Sequence, residues 1–184
     1  MSESRSDRAA KPRRAIVSSA HLVSERAAAL SEFEYGLILA GNAFDRWILR
    51  CMAAAGHEDL GTLDILVLHS VNHRAREKKL ADICFVLGIE DTHTVTYALR
   101  KLTRHGLVAG ERRGKEIFYT TTEAGAAACS RYREVREDCL VNAFGAFAGA
   151  VQAGASEEEI GRLAELLRAL SGLYDQAARA AASL

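Results

Sequence analysis

The chain has 184 residues, of which 49% are hydrophobic and 26% charged, and this composition predicts one folded domain with extensions and excludes a largely disordered protein. No run approaches the roughly 18 apolar residues that a bilayer-spanning helix needs, and the first 20 residues lack an apolar signal-peptide core. The sequence therefore predicts a cytoplasmic protein without membrane contact.

The charge is unevenly distributed, although the formal net charge is zero. Residues 74–115 contain ten basic and five acidic residues, which gives a local net charge of +5, and residues 1–20 add +3. The remainder of the chain is therefore acidic. A basic middle segment in a neutral chain indicates a surface that faces a polyanion.

The first part of the chain is predicted to hold a tail and two helices. Residues 1–20 contain the only proline and several arginines, which is typical of a disordered basic tail. Apolar residues at spacings of three and four predict a helix over 31–54. A second helix is predicted over 62–73, with Thr62 as its N-cap, and it is apolar nearly all round.

In the middle of the chain, the spacing of apolar residues changes from one typical of helices to one typical of strands. Helices are predicted over 77–87 and 92–105, separated by the short turn Gly88-Ile89-Glu90-Asp91. Charged residues 111–115 are then flanked by β-branched and aromatic residues, which predicts a β-hairpin with a basic tip. Two helices, a tight turn and a hairpin in this order predict a winged helix-turn-helix.

The last part of the chain is predicted to be helical again. Thr122 is the expected N-cap of a helix over 123–152, and Ser156 with Glu159 has capping-box spacing for a helix over 157–182. The fold class is therefore mainly α with a small β-hairpin wing and flanking dimerisation helices. The predicted units are a tail (1–20), an N-terminal dimerisation helix (21–60), a winged helix-turn-helix (61–122) and C-terminal dimerisation helices (123–184).

The helix over 92–105 divides into two faces. Its aliphatic face carries Val95, Ala98, Leu99 and Leu102, which are expected to pack on the preceding helix. The opposite face carries hydrogen-bonding and cationic groups that suit base edges and phosphates: His93, Thr96, Tyr97, Arg100 and Arg104. An ordinary solvated helix face is the alternative for this surface, and a charged solubilising turn is the alternative for the basic hairpin tip.

The segment LADICFVLGIEDTHTVTYALRKLTRHGLV, residues 80–108, resembles the winged helix of the MarR family. Thr122-Glu123-Ala124-Gly125 is similar to the family's exit from the wing, and residues 63–69 upstream strengthen the resemblance. It implies a homodimer whose first and last helices interlock and whose two winged lobes bind a pseudo-palindromic DNA site. A difference lies in the wing, which is short and has Glu111-Arg112-Arg113 where many members have a longer wing with Asp-x-Arg.

The hypothesis is therefore a sequence-specific transcriptional regulator that binds duplex DNA. The residues expected to contact DNA are His93, Thr94, Thr96, Tyr97, Arg100, Lys101 and Arg104 of the recognition helix, Arg112, Arg113 and Lys115 of the wing, and Lys78 and Lys79 at phosphates. The alternative is a winged helix that binds another protein. We find no catalytic motif, and we expect no enzyme activity, cofactor or metal.

Several other residues could suggest sites. His69 and His73 have a spacing that can hold a metal, but further ligands are not identifiable, so a structural histidine is the preferred interpretation. Cys129 and Cys139 lie too far apart along one straight helix to pair, which leaves a redox link between subunits as an alternative. Members of the family often bind small effectors, and Trp47, Phe44 and Tyr132 are candidates for lining such a cleft, although core positions are the preferred interpretation.

Overall fold

The computed structural model describes residues 16–144 and 156–183. As predicted, the protein is mostly helical with a small sheet. The helices are α1 (Ala28–Ala54), α2 (Thr62–Asn72), α3 (Leu80–Leu87), α4 (Thr92–Arg104), α5 (Glu123–Arg136) and α6 (Glu157–Ala181). The strands are β1 (Lys78–Lys79), β2 (Val108–Arg113) and β3 (Glu116–Thr121). Within the described ranges, no helix is long and apolar enough to cross a membrane.

The predicted start of the third helix is wrong. Lys78 and Lys79 form β1, which pairs with Tyr119 and Phe118 of β3, and α3 begins only at Leu80. The local reason is Asp82, whose Oδ2 accepts a hydrogen bond from the Lys79 backbone N–H at 3.0 Å and so closes the first turn of α3. Local periodicity cannot reveal the pairing partner, because β3 lies about 40 residues further along the chain.

The start of α2 also differs from the prediction. Gly61, not Thr62, is the N-cap residue, and it has no side chain with which to cap the helix. Asp64 closes this turn instead, since its Oδ2 accepts a hydrogen bond from the Gly61 backbone N–H at 2.8 Å. Asp64 is buried, so this carboxylate lies inside the protein at the beginning of α2.

The wing is a three-stranded antiparallel sheet with strand order β1-β3-β2. The predicted hairpin of β2 and β3 is confirmed, with Val108 opposite Thr121 at its base and Arg113 opposite Glu116 at its tip. Gly114 opens the two-residue turn with a φ of 65°, a left-handed conformation that glycine adopts without a steric penalty. The tip therefore presents the charged residues on either side of Gly114.

The hydrophobic core is formed largely by α2, α3 and α4. The C-terminal half of α1 packs against it, as do the start of β2 and the middle of α5. The largest fully buried side chains are Ile48, Met52, Ile65, Leu68, Ile83, Leu99, Leu102 and Leu107. The N-terminal half of α1 and all of α6 lie outside this core and have few or no buried residues.

A tight contact joins the wing to α5. Thr122 caps α5 as predicted, accepting a hydrogen bond from the Gly125 N–H at 3.0 Å and donating one to the Gly106 carbonyl at 2.6 Å. The Gly125 Cα lies against the Leu107 backbone, where a Cβ would collide with the carbonyl oxygen of Leu107. Glycine is therefore required where the chain passes from the sheet into α5.

The end of α5 departs from the single long helix predicted over 123–152. A wide helical turn at Glu137–Val141 interrupts the α-helical geometry, and residues 142–144 are α-helical again. Residues 145–152 of that prediction lie outside the described part of the chain, as do residues 1–15 of the predicted tail.

The predicted capping box of the last helix is confirmed, with Ser156 and Glu159 bonded reciprocally. Tyr174 of α6 donates a hydrogen bond to Glu34 of α1 at 3.3 Å.

Candidate nucleic-acid interface

Helix α4 is seated by its aliphatic face. Val95, Ala98, Leu99 and Leu102 are all at most 1% exposed and pack against α2 and α3. The helix starts at Asp91, whose carboxylate accepts a hydrogen bond from the His93 backbone N–H at 2.9 Å. The aliphatic face predicted from the spacing is therefore sealed in the core, and this leaves the polar face pointing outward.

The polar face of α4 is open to solvent. His93, Thr94, Arg100 and Arg104 are exposed, and Tyr97 is 65% exposed. Aromatic, imidazole, hydroxyl and guanidinium groups thus lie side by side on one surface. These groups can donate hydrogen bonds to base edges and accept hydrogen bonds from them, and the cationic groups can neutralise phosphates.

The two threonines on this face have a restricted hydrogen-bonding role. The Thr94 hydroxyl donates to the Asp91 carbonyl and the Thr96 hydroxyl donates to the Thr92 carbonyl, each at 2.8 Å. Because each hydroxyl has one hydrogen, both side chains keep only acceptor lone pairs for an outside partner. In this arrangement they can receive a bond from a donor such as an exocyclic amino group, whereas donation to a phosphate would require breaking the bond within the helix.

A groove separates the exposed face of α4 from the wing. Its volume is about 630 Å³, and it is lined on the α4 side by Tyr97, Arg100 and Arg104 and on the wing side by Ile117 and Tyr119. Within the described ranges, neither arginine makes a hydrogen bond or an ion pair. The guanidinium groups are therefore available to a ligand that lies across this groove.

The wing carries two kinds of cation. Arg112 and Lys115 are exposed at the tip, and neither has a partner among the residues that the structure describes. Arg113 instead binds Glu77 through both ends of its guanidinium group, at 2.6 and 2.8 Å, and also binds Glu111. Of the three predicted wing contacts, the described part of the chain therefore leaves two without a protein partner.

The predicted phosphate contacts need a correction at Lys78. Its side chain is 7% exposed, and its ammonium donates to the carbonyl oxygens of His73 and Arg76 at 2.8 and 2.9 Å. It closes the loop in which Arg74 adopts a left-handed conformation with a φ of 61°. Lys79 lies at the surface and pairs with Glu116 at 2.8 Å. Lys78 is therefore an internal support of this loop.

Lys101 is likewise directed into the protein. Its ammonium binds the carboxylate of Asp64 at 2.7 Å and the carbonyl of Asp59. The sequence pattern groups Lys101 with the recognition residues and does not reveal Asp64 and Glu77, the acids that hold Lys101 and Arg113. The only local signal for Asp64 is its place three residues after a glycine at a helix start.

The remaining candidates lie away from this surface. His69 packs edge-on against Tyr132 with ring centroids 4.6 Å apart, and burial lowers the pKa of His69. No group of three potential metal ligands is found in the described ranges. Tyr132 is buried in the core, whereas Phe44 is 53% exposed, and the effector cleft stays a prediction.

Comparisons with known proteins agree with this geometry. Residues 60–125 match the family described as "Winged helix DNA-binding domain". A search of curated proteins finds no match. Among solved structures, reduced AbfR bound to DNA is similar, with a TM-score of 0.65 and 19% identity over 82% of this chain and 98% of AbfR.

Two further solved structures are similar to the chain. A cysteine-to-serine variant of MarR from E. coli, complexed with operator DNA, has a TM-score of 0.57 and 18% identity over 80% of this chain and 99% of its own. A MarR-family transcriptional regulator from Rhodococcus sp. RHA1 has a TM-score of 0.55 and 16% identity over 80% and 96% of the two chains.

The chain has the MarR fold. In this fold the segment that matches the winged helix domain is the unit formed by α2, α3, α4 and the wing, together with the first turn of α5. The similarity to these structures extends beyond residues 60–125, because each of them covers at least 80% of the chain. The helices that flank the wing unit are therefore part of the shared architecture.

Proposed function

We propose that the chain is a transcriptional regulator that binds duplex DNA in a sequence-specific manner, as a homodimer on a pseudo-palindromic site. The observation that carries this proposal is the open polar face of α4 beside the free cations of the wing. In this arrangement α4 enters the major groove, where His93, Thr96, Tyr97 and Arg100 contact base edges. Arg104, Arg112 and Lys115 neutralise phosphates on either side of that groove.

The solved structures support the DNA partner. AbfR and the MarR variant from E. coli share the fold of this chain, and both were determined with DNA. The surface of this chain that could meet DNA combines unpaired arginines on a helix with unpaired cations on a neighbouring hairpin, as judged over residues 16–144 and 156–183. The segment with the local excess of basic residues, 74–115, includes α4 and the tip of the wing, and its unpaired cations Arg100, Arg104, Arg112 and Lys115 lie on these two elements.

The homodimer is supported by apolar side chains that the subunit leaves uncovered. Ile38, Leu39 and Phe44 of α1 are each more than half exposed. On α6, Leu166 and Leu173 are at least half exposed as well. An apolar surface of this kind on two long helices is typical of an interface between subunits. A dimer also places two copies of α4 on successive turns of a duplex, which doubles the contacts.

The test is a binding measurement on DNA selected from genomic fragments, with random duplex as the reference. Wild-type protein is expected to bind both at low salt and to prefer the selected fragment as salt rises. Arg100→Ala should weaken binding to the selected fragment more than binding to random duplex, because base contacts specify sequence. Absence of binding to any duplex at low salt would refute the proposal and favour a protein partner for the α4 face.

A further inference from the structure

We propose that Asp64 and Lys101 form a positioning pair that holds α4 in place on α2, so that Lys101 acts on DNA recognition through the position of its helix and not through a contact of its own. The inference rests on the proposed DNA-binding function and refines it. It reassigns a cation that the sequence pattern groups with the DNA contacts.

The pair is short and largely shielded from solvent. The Lys101 ammonium lies 2.7 Å from Oδ2 of Asp64, and the side chains of Lys101 and Asp64 are 22% and 8% exposed. The same ammonium donates to the backbone carbonyl of Asp59, in the loop before α2. Two of its three N–H donors are therefore committed to groups of the subunit.

The carboxylate of Asp64 joins two elements at one atom. Its Oδ2 accepts from the Gly61 N–H at 2.8 Å, and it receives the Lys101 ammonium at 2.7 Å. The first of these bonds closes the opening turn of α2, whose N-cap glycine has no side chain to do so. The beginning of α2 and the third turn of α4 thus meet on a single oxygen.

Moving Lys101 to a phosphate would be costly. It would leave the carboxylate of Asp64 without its counter-charge at a site with little access to water. Arg100 and Arg104 face no such penalty, because neither has a protein partner in the described part of the chain. Charge-assisted bonds are also stronger where water is largely excluded. The burial and pairing of Lys101 therefore favour a role as an internal tether, which here means an ion pair that joins α4 to the start of α2.

The tether lies close to the residues proposed to read DNA. Asp64 and Gly61 line one wall of a shallow groove whose other wall is formed by His93, Thr94 and Tyr97 of α4. A shift of α4 relative to the start of α2 would move these three side chains together. The pair is therefore placed where a small change in helix position would change base contacts.

The experiment is a double-mutant cycle on DNA binding with Lys101→Met, Asp64→Asn and the double variant. Methionine keeps most of the aliphatic stem of Lys101, and asparagine keeps an acceptor for the Gly61 N–H. Affinity for the selected fragment and its dependence on salt are measured by fluorescence anisotropy. Arg104→Gln is the matched control, a cation on the same helix that has no protein partner in the described ranges.

We expect Lys101→Met to lose about tenfold in affinity for the selected fragment, which equals ~1.4 kcal/mol, with an unchanged slope of log affinity against log salt. Asp64→Asn should also bind more weakly, although removal of a negative charge alone would strengthen binding. The double variant should be no weaker than the weaker single variant. Arg104→Gln should reduce the slope by about 0.9 for each bound subunit.

Other outcomes overturn the assignment. A reduced slope for Lys101→Met would make Lys101 a phosphate contact, and tighter binding by Asp64→Asn would show that the carboxylate only restrains a DNA-binding lysine. Loss of folding in Lys101→Met, seen by circular dichroism, would show that the pair holds the whole domain and not the recognition face. If wild-type protein binds no duplex at low salt, the proposed function itself fails, which is a separate result.

Discussion

Arg113 at the end of β2 and Glu77 in front of β1 form a two-point ion pair that ties the wing to the chain before α3. One guanidinium nitrogen donates to Oε2 of Glu77 at 2.8 Å and the other donates to Oε1 at 2.6 Å. The Arg113 guanidinium also lies 5.0 Å from the centre of the Phe118 ring, and the Lys79 ammonium lies 5.2 Å from it. The wing is thus held by cations that a charge pattern alone would assign to DNA.

The first prediction separates the two neighbouring arginines of the wing. Arg112→Gln should reduce the salt slope of DNA binding by about 0.9 for each bound subunit, because Arg112 has no partner in the described ranges and is free to meet a phosphate. Arg113→Gln should leave that slope unchanged, since its charge is already paired with the carboxylates of Glu77 and Glu111. Equal slopes for both variants would show that the ion pair does not decide which arginine contacts DNA.

A second prediction concerns Gly125. Gly125→Ala should lower the free energy of unfolding by about 1–3 kcal/mol, because the new Cβ would push against the Leu107 carbonyl and displace β2 or α5. Urea denaturation measures the change. Gly161→Ala in α6 is the control, since a Cβ there meets nothing within 4 Å. An unchanged midpoint for Gly125→Ala would mean that the wing and α5 can separate at little cost.

The third prediction is a dependence of stability on pH that involves His69. Burial lowers the pKa of His69 below its usual 6.5, and its Nε2 is buried without a partner within the described ranges. The unfolded chain therefore takes up a proton more readily than the folded chain, so stability falls as the pH drops below about 6.5. Burial lowers the pKa of His57 too, and this histidine adds to the loss in the same direction.

The measurement for His69 compares unfolding curves at several pH values. In His69→Leu the loss of stability between pH 7.5 and 5.5 should be smaller than in wild type, because the group that takes up the proton is absent. The difference between the two proteins should therefore change with pH. If it is the same at every pH, burial at His69 does not contribute to acid sensitivity.

The fourth prediction tests the dimer through α6. Leu166→Asp should weaken self-association, because a carboxylate would have to leave water when the apolar surface is covered. Sedimentation equilibrium over a range of concentrations measures the effect. Arg168→Asp on the same helix introduces the same carboxylate at an exposed polar position, and it is expected to change association less. Equal effects of the two variants would argue against an interface at Leu166.

The fifth prediction concerns the four cysteines. Cys139 is exposed, whereas Cys51, Cys84 and Cys129 are buried. Burial raises the pKa of Cys129 to about 11 and also raises the pKa of Cys51, which disfavours the reactive thiolate of both. A thiol reagent such as Ellman's reagent at pH 8 should therefore modify one cysteine per folded chain rapidly. This fast phase should be absent in Cys139→Ser, and its persistence would place a second accessible thiol in the folded protein.

The order of the helices around the β-hairpin and the two faces of α4 follow from the sequence alone. Val95, Ala98, Leu99 and Leu102 recur at helical spacing, and the same four residues are buried. The caps at Thr122 and Ser156 are likewise predictable, because each depends on residues no more than three positions apart. Local periodicity and local capping are encoded within a few residues, so no tertiary information is needed to infer them.

The roles of the cations required the tertiary structure. Lys101 finds Asp64 at a separation of 37 residues, and Arg113 finds Glu77 at a separation of 36. Lys78 is buried because β1 joins β3, a pairing that its own neighbours do not signal. In the sequence, a lysine that is exposed to water cannot be distinguished from a lysine that pairs with a buried carboxylate. Only the packing of distant segments decides which charges are left to face a partner.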